Sequence, residues 1–176
     1  MQNLNIALRR HLEVAKRILF LGVGSDMRGD DAFGPSVAAT LKNRLQRADL
    51  SERSILIIDG GSAPENMTGD IRRFKPTHLV LLDAADMSME PGAIGVYSSS
   101  EIVGMSFSTH RLPLSMLVEY LRQDCQFEAI LVAVQPATLS FGAPISEAVK
   151  TAITNTADAI EEAIMPAGQK RPQIES

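Results

Sequence analysis

Four short apolar runs, each closed by a glycine, an aspartate or a Gln-Pro pair, limit most sharply what this chain can fold into. Arg17 to Gly22 is too short for a helix and stops at glycine. Ser54 to Ile58 runs into Asp59-Gly60-Gly61, Leu79 to Asp83 into Ala84, and Ala129 to Val134 into Gln135-Pro136. Between these runs the apolar spacing turns helical. Ala32 to about Arg47 reads as one helix, with Pro35 tolerated only in its first turn and Asp30 or Asp31 available as a cap. Pro113 to Cys125 is a second, placing Leu114, Leu117, Val118 and Leu121 on one face. Ser146 to Met165 is a third, capped by Ser146, with Val149, Ile153, Ala157, Ile160 and Ile164 as its inner stripe. Pro64 to Phe74 reads as a short helix or an irregular turn, and Pro91-Gly92 leads into a weaker strand at Ala93 to Tyr97. Alternation of this kind predicts an α/β fold: a single twisted, mostly parallel sheet of about five strands flanked by helices on both faces.

The domain reading follows. Residues 1–16 form an amphipathic helical extension, with Leu4, Leu8 and Leu12 every fourth position, packed on the domain edge. Residues 17–165 form one α/β domain, and residues 166–176 a flexible tail. A length of 176 residues suits one domain with a full core, and 45% apolar residues exclude disorder. No apolar stretch is long enough to span a bilayer. A net charge of −4 argues against a nucleic-acid partner. The single cysteine, Cys125, excludes an intrachain disulfide and fits a reducing compartment. Residues 1–16 lack the continuous apolar core of a secretory signal, so the expected location is cytoplasmic.

Chemistry concentrates where the strands end. In an α/β sheet, ligands bind at the carboxyl ends of the strands. Asp83 closes one strand, and Gly29-Asp30-Asp31-Ala32 follows another. Two neighbouring carboxylates at a strand–helix junction are costly unless a cation or basic group is near. Asp30 is read as the helix cap and Asp31 as the residue facing the cleft. Of the three histidines, His11 sits on the first helix and His78 in a surface setting after Lys75-Pro76-Thr77. His110, just before a helix, is the natural third partner of Asp31 and Asp83 on a divalent cation. Such a set leaves coordination positions open to a substrate. Asp59, at a strand end before two glycines, can position water or bind a substrate main chain. The Gly22-Val23-Gly24 turn does not complete a dinucleotide fingerprint, because Met27 stands where the third glycine belongs.

The ordered set Leu21-Gly22-Val23-Gly24-Ser25, Gly29-Asp30-Asp31-Ala32-Phe33-Gly34-Pro35, Asp59-Gly60-Gly61-Ser62-Ala63-Pro64-Glu65-Asn66, Asp83-Ala84, Thr109-His110-Arg111-Leu112-Pro113-Leu114 and Gln135-Pro136 resembles the nickel-iron hydrogenase maturation endopeptidases, most closely the hydrogenase 3 (HycI) type. The resemblance runs from about Leu19 to Ala163. It implies a twisted sheet flanked by helices and a peptidase of aspartyl type. The reaction it implies is a single cut that removes the carboxy-terminal extension of a hydrogenase large-subunit precursor after nickel insertion. By the same resemblance Asp31, Asp83 and His110 recognise nickel already held by the substrate, so no permanently bound metal is required. Asp31, Asp83 and Asp59 are then the candidate catalytic carboxylates. Two departures stand out: residues 1–16 are an addition, and some relatives carry glutamate where this chain has Asp31. The rival readings are a non-catalytic metal- or nucleotide-binding α/β module and a scaffold for hydrogenase precursors.

Overall fold

The computed structural model describes residues 2–46, 53–104 and 113–165. Among them, five strands are formed by Arg17–Val23 (β1), Ser54–Gly61 (β2), His78–Ala84 (β3), Ile94–Ser98 (β4) and Glu128–Val134 (β5). The helices are Gln2–Leu12 (α1), Phe33–Leu45 (α2), Thr68–Phe74 (α3), Ser99–Gly104 (α4), Leu114–Arg122 (α5) and Glu147–Ile164 (α6). The strands make one sheet in the order β2-β1-β3-β5-β4, in which only the β4–β5 pair is antiparallel.

Side-chain alternation along the strands divides the core between two faces. Ile18, Phe20, Val80, Leu82, Ile130 and Val132 point to one face, where Leu8 and Leu12 of α1, Val37 and Leu41 of α2, and Val149 and Ile160 of α6 cover them. Leu19, Leu21, Leu79, Leu81, Ala129 and Leu131 point to the other, under Ile71 of α3, Ile102 of α4 and Leu117, Val118 and Leu121 of α5. Every residue of the central strand β3 is buried, which is why its sequence reads as an unbroken apolar run.

The differences from the sequence reading are local. The strands extend beyond their apolar cores: β2 reaches Gly61, with Gly60 as an extra residue where the register against β1 shifts between Gly22 and Val23. Gly29–Ala32 forms a separate 3-10 turn before α2, so Ala32 flanks that helix instead of beginning it. Helix α4 is absent from the sequence reading; six residues are too few to show a helical period. His78 is buried, against its surface reading, because it opens the central strand. The expected tail, residues 166–176, lies outside the described residues.

Candidate active site

The strand order places a crevice between β1 and β3. These two strands are neighbours, yet the chain leaves them in opposite directions: from β1 it passes through α2 to β2 at one edge of the sheet, and from β3 it crosses to β4 at the other. A reversal of this kind opens a cleft at the carboxyl ends of the two strands.

Glycines let the backbone close in behind that cleft. A Cβ on Gly34 would lie 2.2 Å from the Leu82 carbonyl oxygen and 2.3 Å from that of Val23, so the first turn of α2 rests directly on the ends of β3 and β1. A Cβ on Gly22 would in turn meet the Gly34 carbonyl oxygen at 2.5 Å. Gly24 adopts φ +136°, and a Cβ there would lie 1.8 Å from the Asp31 carbonyl oxygen. The glycine-rich loop therefore serves close packing of strand, turn and helix, and so holds Asp31 in place.

Asp31 sits in the 3-10 turn that packs against β3, immediately before α2. It is buried, and its Oδ2 accepts a hydrogen bond from the Ser25 amide at 3.0 Å. The adjacent helix amino terminus favours a negative charge there. Asp83 is the penultimate residue of β3, buried to 1% exposure, with Oδ1 accepting from the Ala84 amide at 2.8 Å. The fold thus brings both predicted aspartates to the carboxyl ends of adjacent strands, one on each side of the crevice. A carboxylate taken out of water favours hydrogen-bond donors or a cationic partner.

Asp30 does not cap α2, contrary to the sequence reading. The residue flanking that helix is Ala32, and no side chain caps it. Asp30 is fully buried and reaches the loop between β5 and α6 instead. Its Oδ2 accepts from the Ala137 amide (2.7 Å), the Thr138 amide (3.2 Å) and Ser146 Oγ (3.0 Å), and its Oδ1 from the Ser146 amide (2.7 Å). Ser146 Oγ also accepts from the Val149 amide, capping α6. One carboxylate therefore ties the Asp31 turn to the last helix. Sequence reasoning missed this role because three of its four donors are backbone amides, which leave no signature in residue type.

Asp59 lies two residues before the end of β2, the strand outside β1, and is exposed. Its Oδ1 accepts from the Gly61 amide at 3.0 Å, closing a local turn. His110 lies outside the described residues. The other histidines are engaged at the opposite, amino edge of the sheet. His11 Nδ1 lies 2.5 Å from Glu128 Oε1, and His78 Nε2 lies 3.5 Å from Glu128 Oε2. Burial pushes the His78 pKa down, against the attraction of Glu128. Cys125, between α5 and β5, precedes the amino end of β5 and is likewise distant along the fold from the strand ends that carry Asp31 and Asp83. Among the described residues no group of three His, Cys, Asp or Glu side chains is placed to hold a metal ion.

The chain and its fold are similar to known proteins. A family model for HycI, hydrogenase maturation protease, matches residues 35–163. The hydrogenase 3 maturation protease of Escherichia coli K12 is 35% identical over 144 residues, covering 81% of this chain and 88% of that protein. The crystal structure of a nickel-iron hydrogenase maturation protease HycI from Thermococcus kodakarensis KOD1 matches with a TM-score of 0.79 at 32% identity, covering 89% of this chain and 97% of that one. The hydrogenase maturating endopeptidase HybD from E. coli matches with a TM-score of 0.71 at 27% identity, over 84% and 91% of the two chains.

Proposed function

The chain belongs to the HycI-type hydrogenase maturation proteases, endopeptidases that act on hydrogenase precursors, and from that premise we propose the substrate and the working of its site. The substrate is the large-subunit precursor of a nickel-iron hydrogenase, and the reaction is removal of its carboxy-terminal extension in the cytoplasm after nickel has been inserted. No helix among the described residues is long and apolar enough to cross a membrane.

The observation that carries this reading is that Asp31, in the turn after β1, and Asp83, near the end of the adjacent strand β3, are both buried on the carboxyl side of the sheet. His11 and His78 are committed to Glu128 at the other edge. His110, three residues before Pro113 at the start of α5, is the remaining imidazole. Two carboxylates and one imidazole do not close around a metal; they leave positions for ligands from the substrate. Nickel is therefore treated as part of the substrate, docking on Asp31, Asp83 and His110. Docking sets the scissile peptide against the Asp59-Gly60-Gly61 turn. A metal ion polarises a carbonyl or acidifies a bound water. Asp59, exposed on the neighbouring strand, accepts a proton from the attacking water and returns it to the departing amine as the C–N bond breaks.

Recognition through the substrate's own metal makes cleavage conditional on cofactor insertion, because that binding energy is absent until nickel arrives. The test mixes purified protease with matched metal-free and nickel-loaded precursors and follows loss of the extension by mass. Cleavage of the loaded form alone is expected. Equal cleavage of both would mean that recognition rests on peptide sequence and that the three residues serve another purpose.

A further inference from the structure

The loop between β5 and α6 carries a phenyl ring that the fold does not use. Phe141 is 75% exposed, although Leu139 and Ile145 on either side pack against the core. Met27, in the loop after β1, is 56% exposed. The Gly142 amide donates to the Met27 carbonyl oxygen at 2.8 Å, so these two apolar side chains stand on backbones joined to each other. Arg28 Nε donates to the Leu139 carbonyl oxygen at 3.3 Å, a second link between the same loops. The four hydrogen bonds to Asp30 fix both loops from beneath.

From this arrangement we propose that Phe141 and Met27 form the surface on which the hydrogenase precursor docks, through an apolar patch beside its cleavage point. The inference rests on the site reading above, since Met27 precedes Asp31 by four residues in the same loop. An endopeptidase must bring a protein partner to the edge of the sheet where its carboxylates lie, and these loops form part of that edge. Aromatic and methionine side chains supply large apolar contact and dominate interface energetics. Loops already braced by hydrogen bonds lose little freedom when a partner binds, so burial of the two side chains converts efficiently into affinity. The surface selects for the folded precursor, whereas the carboxylates and His110 select for its metal.

The test is steady-state processing of nickel-loaded precursor by the wild-type protein and by Phe141→Ser, Met27→Ser, their double variant and Phe141→Leu. The double variant is expected to raise KM by at least about ten-fold with kcat within about two-fold of wild type. Phe141→Leu restores most of the loss. Met116→Ser, at a comparably exposed position on the outer side of α5, leaves KM unchanged. Circular dichroism checks that each variant is folded. An unaltered KM in the double variant overturns the proposal. So does a wild-type dimer in sedimentation that the double variant dissolves, because the patch then covers a second copy. The two readings fail separately: equal cleavage of metal-free and loaded precursor by the wild type removes nickel-dependent recognition, while a raised KM in the double variant still upholds the docking surface.

Discussion

Replacing Gly34 by alanine tests whether the seating of α2 on the strand ends holds the site together. The added Cβ would lie 2.2 Å from the Leu82 oxygen, 2.3 Å from the Val23 oxygen and 2.5 Å from the Val23 nitrogen, where ordinary contact begins at 3.4 Å. All three are backbone atoms of buried strands, so no side chain can swing aside. The helix must withdraw by about 1 Å, an overpacking cost of about 3 kcal/mol. Alanine returns about 1 kcal/mol in helix propensity. The net loss is about 2 kcal/mol, or a fall in melting temperature of about 4–8 °C for a chain of this size. Activity should fall further than stability, because α2 carries Asp31 at its entry and a displacement of about 1 Å near a reacting centre can cost about a hundred-fold. Gly69→Ala is the matched control: nothing lies within 4 Å of its Cβ, and it should stabilise α3 by about 0.4–1 kcal/mol. Urea unfolding and precursor processing measure the two effects. A Gly34→Ala protein with wild-type unfolding midpoint and wild-type processing would refute the argument.

Three further expectations use other residues. Asp30→Asn exchanges one of two accepting oxygens for a donor facing the amides of Ala137, Thr138 or Ser146, and should cost about 2–4 kcal/mol while speeding hydrogen exchange at those amides. His78 sets a pH dependence whose sign follows from its lowered pKa: the unfolded chain takes the proton near the ordinary value of 6.5, the folded protein only at lower pH. The stability it contributes is therefore complete above pH 6.5 and is lost as pH falls toward the depressed folded value; His78→Gln should flatten the slope of unfolding midpoint against pH in that window. His110→Ala and Asp31→Asn should each lower processing of nickel-loaded precursor by at least about a hundred-fold. His110→Ala should do so without shifting the melting temperature, and a fully active purified variant would remove the ligand role.

How much of this was legible in the sequence depended on the range over which each feature is specified. Buried parallel strands announce themselves as continuous apolar runs, so β1, β3 and β5 were readable to within two residues. Asp83 was readable as a strand-end carboxylate for the same reason. Asp30 or Asp31 reads from sequence as a cap and Ala32 as the first residue of α2; that these residues form a separate 3-10 turn lies in hydrogen-bond pattern and leaves composition unchanged. The role of Asp30 was out of reach: its partner at Ala137 is 107 residues away in sequence, and an amide donor can come from almost any residue. The burial of His78 is likewise set by strand order, which places β3 at the centre of the sheet, and Lys75-Pro76-Thr77 beside it pointed the other way. Phe141 shows the converse, an apolar residue whose sequence context gives no hint that the fold leaves it outside.

The clamp at Asp30 also has a bearing on the life of the chain during synthesis. Residues emerge from the ribosome in order, and early segments fold first where they can. The turn that carries Asp31 cannot reach its final form in that way, because the donors that neutralise Asp30 come from residues 137–146. Until those residues are made, a carboxylate destined for the interior has only water for company, and burying it unpaired is unfavourable. Helix α6, capped by the same Ser146 that donates to Asp30, arrives with them and covers α1 and α2. A nascent or truncated chain that lacks this portion therefore lacks the clamp beneath the Asp31 turn.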